Sequence, residues 1–167
     1  TDLLVNSTDI EQWIDYTFTP KILDPRTGLG YCEDGVDTTI RIWINPQPKI
    51  DVVAAPDTLC YDDGTGTAFT ITTPNTTTGT WVYDLTIVTS DPGVTGYTTG
   101  TDRITMNFTD LLVNSTDIEQ WIDYTFTPKI LDPRTGLSYC EDGVDTTIRI
   151  WINPQPKIDV VAVPDTL

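Results

Sequence analysis

Apolar and polar residues alternate strictly through much of this chain. Between 81 and 88, Trp81, Tyr83, Leu85 and Ile87 fall on one face and Asp84 and Thr86 on the other, the period-two pattern of a half-buried strand. Ile104, Met106 and Phe108 alternate in the same way with Thr105 and Asn107. So do Ile122, Tyr124 and Phe126 with Asp123 and Thr125, and Ile148, Ile150 and Ile152 with Arg149 and Trp151. Weaker runs at 49–54 and 67–72, with Pro, Gly, Asn and Asp between runs, bring the expectation to about six or seven strands. One short helix is predicted at Thr116-Asp117-Ile118-Glu119, where Thr116 and Glu119 match a capping box ahead of Ile118 and Trp121.

The pattern is periodic on a larger scale. Residues 1–59 return at 109–167, an offset of 108, with Ser138 in place of Gly30 and Val163 in place of Ala55 as the only changes. Solenoid units run to roughly 20–50 residues, so a recurrence of this length is a whole domain. A domain of that size buries a core of its own. Six or seven strands at that length predict an all-β fold: immunoglobulin-like antiparallel β-sandwiches in a head-to-tail array. The string Asn-Pro-Gln-Pro (45–48 and 153–156) fixes φ twice and removes amide donors, which favours a stiff, extended joint. With boundaries there, 1–46 is the C-terminal part of one repeat, 47–154 a complete sandwich and 155–167 the start of the next. Both ends are then cuts within a longer protein.

Composition narrows the function. There are 25 acidic against 9 basic residues, a net charge of −16 and no histidine, so the basic footprint that nucleic acid requires is missing. No apolar run reaches the ~18 residues that cross a bilayer, and no basic-then-apolar leader opens the chain, so no membrane insertion is expected in this segment. An enzyme needs a nucleophile with its base, or paired carboxylates in a cleft. Neither pattern stands out, and no catalytic residue is assigned. Trp81, Trp121 and Trp151 are read as core or sheet-face residues, with a sugar-binding platform as the alternative; Trp151, opposite the isoleucine face of its strand, is the one expected to be exposed.

The strings CYDDGTGTAFTITTP, TWVYDLTI, IDYTFTPKI and TTIRIWINPQPKI span nearly the whole period. In texture and position they resemble the PKD-like, immunoglobulin-type repeats of Bacteroidetes cell-surface proteins, including the gliding adhesins of the SprB type. The resemblance implies export, through type IX secretion, to the bacterial cell surface. It also implies a role in adhesion, gliding or matrix.

Three kinds of candidate site follow. Cys60 and Cys140 are the cysteines of the complete period and Cys32 is the earlier copy of Cys140. The readings open for them are a staple from Cys60 to the Cys140 equivalent of the following repeat, a bridge within one domain, or free thiols. The acidic turns offer Asp62, Asp63, Glu141 and Asp142 as oxygen ligands for Ca²⁺, without the EF-hand spacing; no other cofactor is expected. If the chain shares the family's source, Thr58, Thr38 and Thr146, each preceded by Asp, are O-glycosylation candidates. The partners expected are neighbouring repeats of the same chain, surface polysaccharide or other fibre subunits. The leading expectation is a structural repeat of a surface fibre or adhesin stalk. Its rivals are a glycan-binding module acting by avidity and a subunit of a polymerised filament.

Overall fold

A computed structural model describes residues 2–32, 35–62, 64–132, 135–141 and 143–161. All regular structure among them is β, without a helix. The chain divides into two units, Thr1–Gln47 with Asn75–Thr78, and Pro48–Pro74 with Gly79–Leu167.

In the first unit β1 (Gln12–Phe18) pairs antiparallel with β4 (Thr38–Ile44), and β2 (Ile22–Leu23) with β3 (Gly30–Cys32). The register sets Trp13 opposite Trp43 and Asp15 opposite Arg41. Among the described residues of this unit, only Pro46 and Asn75 are buried.

The second unit holds β5 (Asp51–Ala55), β6 (Thr58–Leu59), β7 (Thr67–Thr72), β8 (Thr80–Thr89), β9 (Val94–Thr95), β10 (Gly100–Arg103), β11 (Asn107–Asp110), β12 (Val113–Asn114), β13 (Gln120–Leu131), β14 (Ser138–Cys140) and β15 (Thr146–Ile152). One sheet runs β10-β8-β13-β15-β6, with β14 also on β13; a second runs β11-β7-β5; β12 and β9 form a small ladder. All these pairs are antiparallel except β15 with β6. The opening strand is therefore shared: β5 joins the three-stranded sheet, and β6 joins the larger one.

The two sheets enclose one core, a sandwich-like arrangement. Phe69 and Phe108 from the smaller sheet stack at 4.7 Å between ring centroids, and Phe69 lies 4.6 Å from Tyr124 of the larger. Leu59, Ile71, Leu85, Ile122, Phe126, Ile150 and Ile152 complete the interior. The residues of 109–152 and their copies in 1–44 pair in the same register, Gln120 with Ile152 as Gln12 with Ile44. Yet Phe126 is 0% exposed and Phe18 56%. Local sequence makes the hairpin in both copies, but β7 and β8, from the stretch between the copies, and β11, which begins in it, bury it in only one.

One buried acid ties the sandwich together. The carboxylate of Asp110 accepts from the Tyr124 hydroxyl at 2.6 Å, the Thr98 hydroxyl at 2.6 Å and the Thr98 amide at 2.9 Å. Burial, and then the bond to Asp110, push the Tyr124 phenol well above its ordinary pKa. The unfolded chain releases that proton near pH ~10 and the folded one keeps it. The contribution is thus complete below that pH and is lost above it, at about 1.4 kcal/mol per pH unit. Urea unfolding between pH 9 and 11.5 should show this slope, and Tyr124→Phe should be shallower by one proton.

Two sequence expectations are corrected. Thr116–Glu119 forms no helix: buried Asn114 accepts from the Thr116 amide (2.9 Å) and hydroxyl (2.7 Å) and donates to the Ile118 and Ile152 carbonyls at 2.8 and 2.9 Å. The Thr116 oxygen that a helix cap would use as an acceptor accepts instead from Gln120 Nε2 at 3.1 Å. Ile104, read as inward-facing, is exposed between β10 and β11, while Met106 and Phe108 do pack against the core.

Candidate functional site

A regular side-chain array lies on the outer face of β13 and β15. Inward isoleucines leave Trp121, Asp123 and Thr125 pointing out, cross-strand from Trp151, Arg149 and Thr147. The Arg149 guanidinium lies 3.9 Å from the centre of the Trp121 ring and 5.7 Å from that of Trp151. It donates to both Asp123 oxygens, at 2.7 and 2.8 Å, and this bond holds the Asp123 carboxyl below its ordinary range despite partial burial. Thr125 and Thr147 hydroxyls meet at 2.9 Å. The first unit repeats the ladder, with Arg41 3.9 Å from the Trp13 ring centre and bonded to Asp15 at 2.7 and 2.9 Å. Trp151, as expected, is exposed. The face of Trp121, however, is covered by an arginine whose charge is already matched.

The cysteines lie at opposite ends of the second unit. β15 runs from Thr146, opposite Phe126, to Ile152, opposite Gln120. The chain comes in at the Thr146 end, where the Pro48 carbonyl accepts from the Val144 amide at 2.9 Å and the Ile50 carbonyl from the Thr146 hydroxyl at 3.1 Å. It leaves past Ile152, where the Asn153 amide donates to the Leu59 carbonyl at 2.9 Å. We call these the proximal and distal ends. Cys60 follows Leu59 and is exposed at the distal end; half-buried Cys140 pairs with Ile130 at the proximal end. From Gln120 to Ile130 is ten steps of extended strand, about 33 Å, against the ~7 Å limit between Cα atoms of a disulfide. No disulfide joins Cys60 to Cys140, and the separation of the two ends is too long for one within this unit. Cys32 ends β3, and its side chain lies outside the described residues.

The same geometry separates the acidic turns. Asp62 is exposed beside Cys60 and Glu141 beside Cys140, so they do not converge on one cation; Asp63 and Asp142 lie outside the described residues. Among the described residues no group of three or more His, Cys, Asp or Glu is arranged to hold a metal. The threonines also divide. Thr58 and Thr38 are exposed, whereas Thr146 is half-buried with its hydroxyl given to Ile50, so a glycan on Thr146 would cost that contact.

Two features escaped the sequence reading. One is the burial of Asp110. The other is the segment Asn75–Thr78, which leaves the chain between β7 and β8 and belongs to the first unit. No protein-family model, curated protein or solved structure matches this chain.

Proposed function

We propose that this chain is a structural repeat of a long extracellular fibre or adhesin stalk at a bacterial cell surface, serving adhesion, gliding or matrix. One observation carries the reading: residues 1–59 recur at 109–167, and the second unit has its entry and its exit at opposite ends, which supports links in series. The division between Gln47 and Pro48 falls inside Asn-Pro-Gln-Pro, which supports a stiff joint there. The sheet orders β10-β8-β13-β15-β6 and β11-β7-β5, with the first strand shared between them, support an immunoglobulin-type, PKD-like sandwich. A repeat with no task beyond reach tolerates near-identical copies, because each duplication simply lengthens the stalk.

Placement of the cysteines at opposite ends supports a staple from Cys60 to the Cys140 equivalent of the next repeat. Non-reducing peptide mapping of the native protein should join cysteines of different repeats, and free thiols throughout would refute it. Exposed Thr58 stays a glycosylation candidate, to be checked by intact mass from the native host. The spacer reading predicts that neither this chain nor the native array binds an array of surface glycans. Retention that grows steeply with repeat number would favour an avidity module instead.

A further inference from the structure

We infer that the distal end of the second unit is a preformed receptor for the Asn-Thr-Thr-Thr segment of a following copy. This rests on the array proposed above. Within the first unit the segment Asn75–Thr78 occupies the same kind of receptor. Ile10 and Thr76 form a parallel bridge; the Glu11 amide donates to the Thr76 carbonyl and the Thr76 amide to the Asp9 carbonyl, both at 3.0 Å. The Thr78 hydroxyl lies 2.8 and 2.7 Å from the two Glu11 carboxylate oxygens, and the Thr77 hydroxyl donates to Asn45 Oδ1 at 2.7 Å. The receptor thus reads an extended backbone followed by a hydroxyl at a fixed offset.

All four receptor residues recur one period later as Asp117, Ile118, Glu119 and Asn153. The loop that carries them is held in the same shape. Asn6 donates to Ile10 and Ile44 carbonyls at 2.8 and 2.9 Å, and Asn114 to Ile118 and Ile152 carbonyls at 2.8 and 2.9 Å. The contents differ. Among the described residues, the Asp117 carbonyl, the Glu119 amide and the Glu119 carboxylate have no hydrogen-bond partner, and Ile118 is 67% exposed. The Asp117 carboxylate is engaged by Lys157, which leaves its carbonyl available. A receptor that keeps its shape when empty loses little entropy on filling. The string Asn-Thr-Thr-Thr occurs once per period, at 75–78, so each added copy brings one segment for the receptor before it. Because a tethered segment has an effective concentration near millimolar, an intrinsic Kd in the millimolar range is enough to keep the contact made.

The test uses the whole chain, labelled with ¹⁵N, and a synthetic peptide of the sequence 72–80. Amide shifts are expected at Asp117, Ile118, Glu119 and Asn153, and none at Asp9, Ile10 and Glu11, whose receptor is filled. Glu119→Ala in the chain, or the Thr78→Val change in the peptide, should each weaken binding about tenfold by removing a charge-assisted bond. Two results would overturn the inference: no movement at 117–119 up to ~10 mM peptide, several times the tethered concentration, or movement that persists unchanged with both alterations. Either failure leaves the array proposal standing, since that depends on how the native chain extends under force.

Discussion

Phe126→Ala should lower the unfolding free energy by about 3–5 kcal/mol, while Phe18→Ala, the same residue one period earlier, should change it by less than ~0.5 kcal/mol. The two phenylalanines have the same neighbours in sequence. Phe126, however, is enclosed by Phe69, Tyr83 and Phe108, with ring centroids 6.0, 5.6 and 6.4 Å away. Truncation there leaves a cavity in a core that other aromatic rings hold open, whereas Phe18 is more than half exposed. Urea titrations of the two variants would measure the difference. Equal losses would mean that the core is not built from the phase that the second unit implies.

Asp110→Ala should be comparably severe, about 3–5 kcal/mol, because it strands the buried Tyr124 hydroxyl and the half-buried Thr98 hydroxyl and amide. Asp2, its earlier copy, accepts only from the Tyr16 hydroxyl at 2.9 Å among the described residues and is exposed, so Asp2→Ala should be nearly neutral. Asp110→Asn keeps an acceptor and should fall between wild type and Asp110→Ala. A double-mutant cycle with Tyr124→Phe isolates the shared bond. Additive losses would show that Tyr124 and Asp110 act separately.

Much of the fold was legible in the sequence because strand alternation is a local signal. The inward positions Ile122, Tyr124 and Phe126 and their partners Ile150 and Ile152 are all buried as the pattern required. What was illegible depends on long-range partners. Thr116 and Glu119 carry a capping signal, but Asn114 reaches Ile152, 38 positions away, and fixes a turn instead. Asp110 looks like one more acid in an acidic chain until Thr98 and Tyr124 close on it. Trp121 reads only as a core or sheet-face residue until the register brings Arg149 over its ring. The acidic turns each look like half of a cation site, and only the antiparallel run of β13 and β15 separates them. The Asn75–Thr78 segment has no apolar pattern at all, since its binding is made by backbone and hydroxyl groups.

The proposed stalk requires that such repeats act as separate links along one covalent chain. Stretching the native protein by one end under reducing conditions tests it most directly. Each repeat should yield as a unit, giving equal steps of about 350 Å, from ~3.6 Å per extended residue over the 108-residue period less the length of the folded domain. Uneven steps, or detachment of whole subunits before any repeat unfolds, would contradict it.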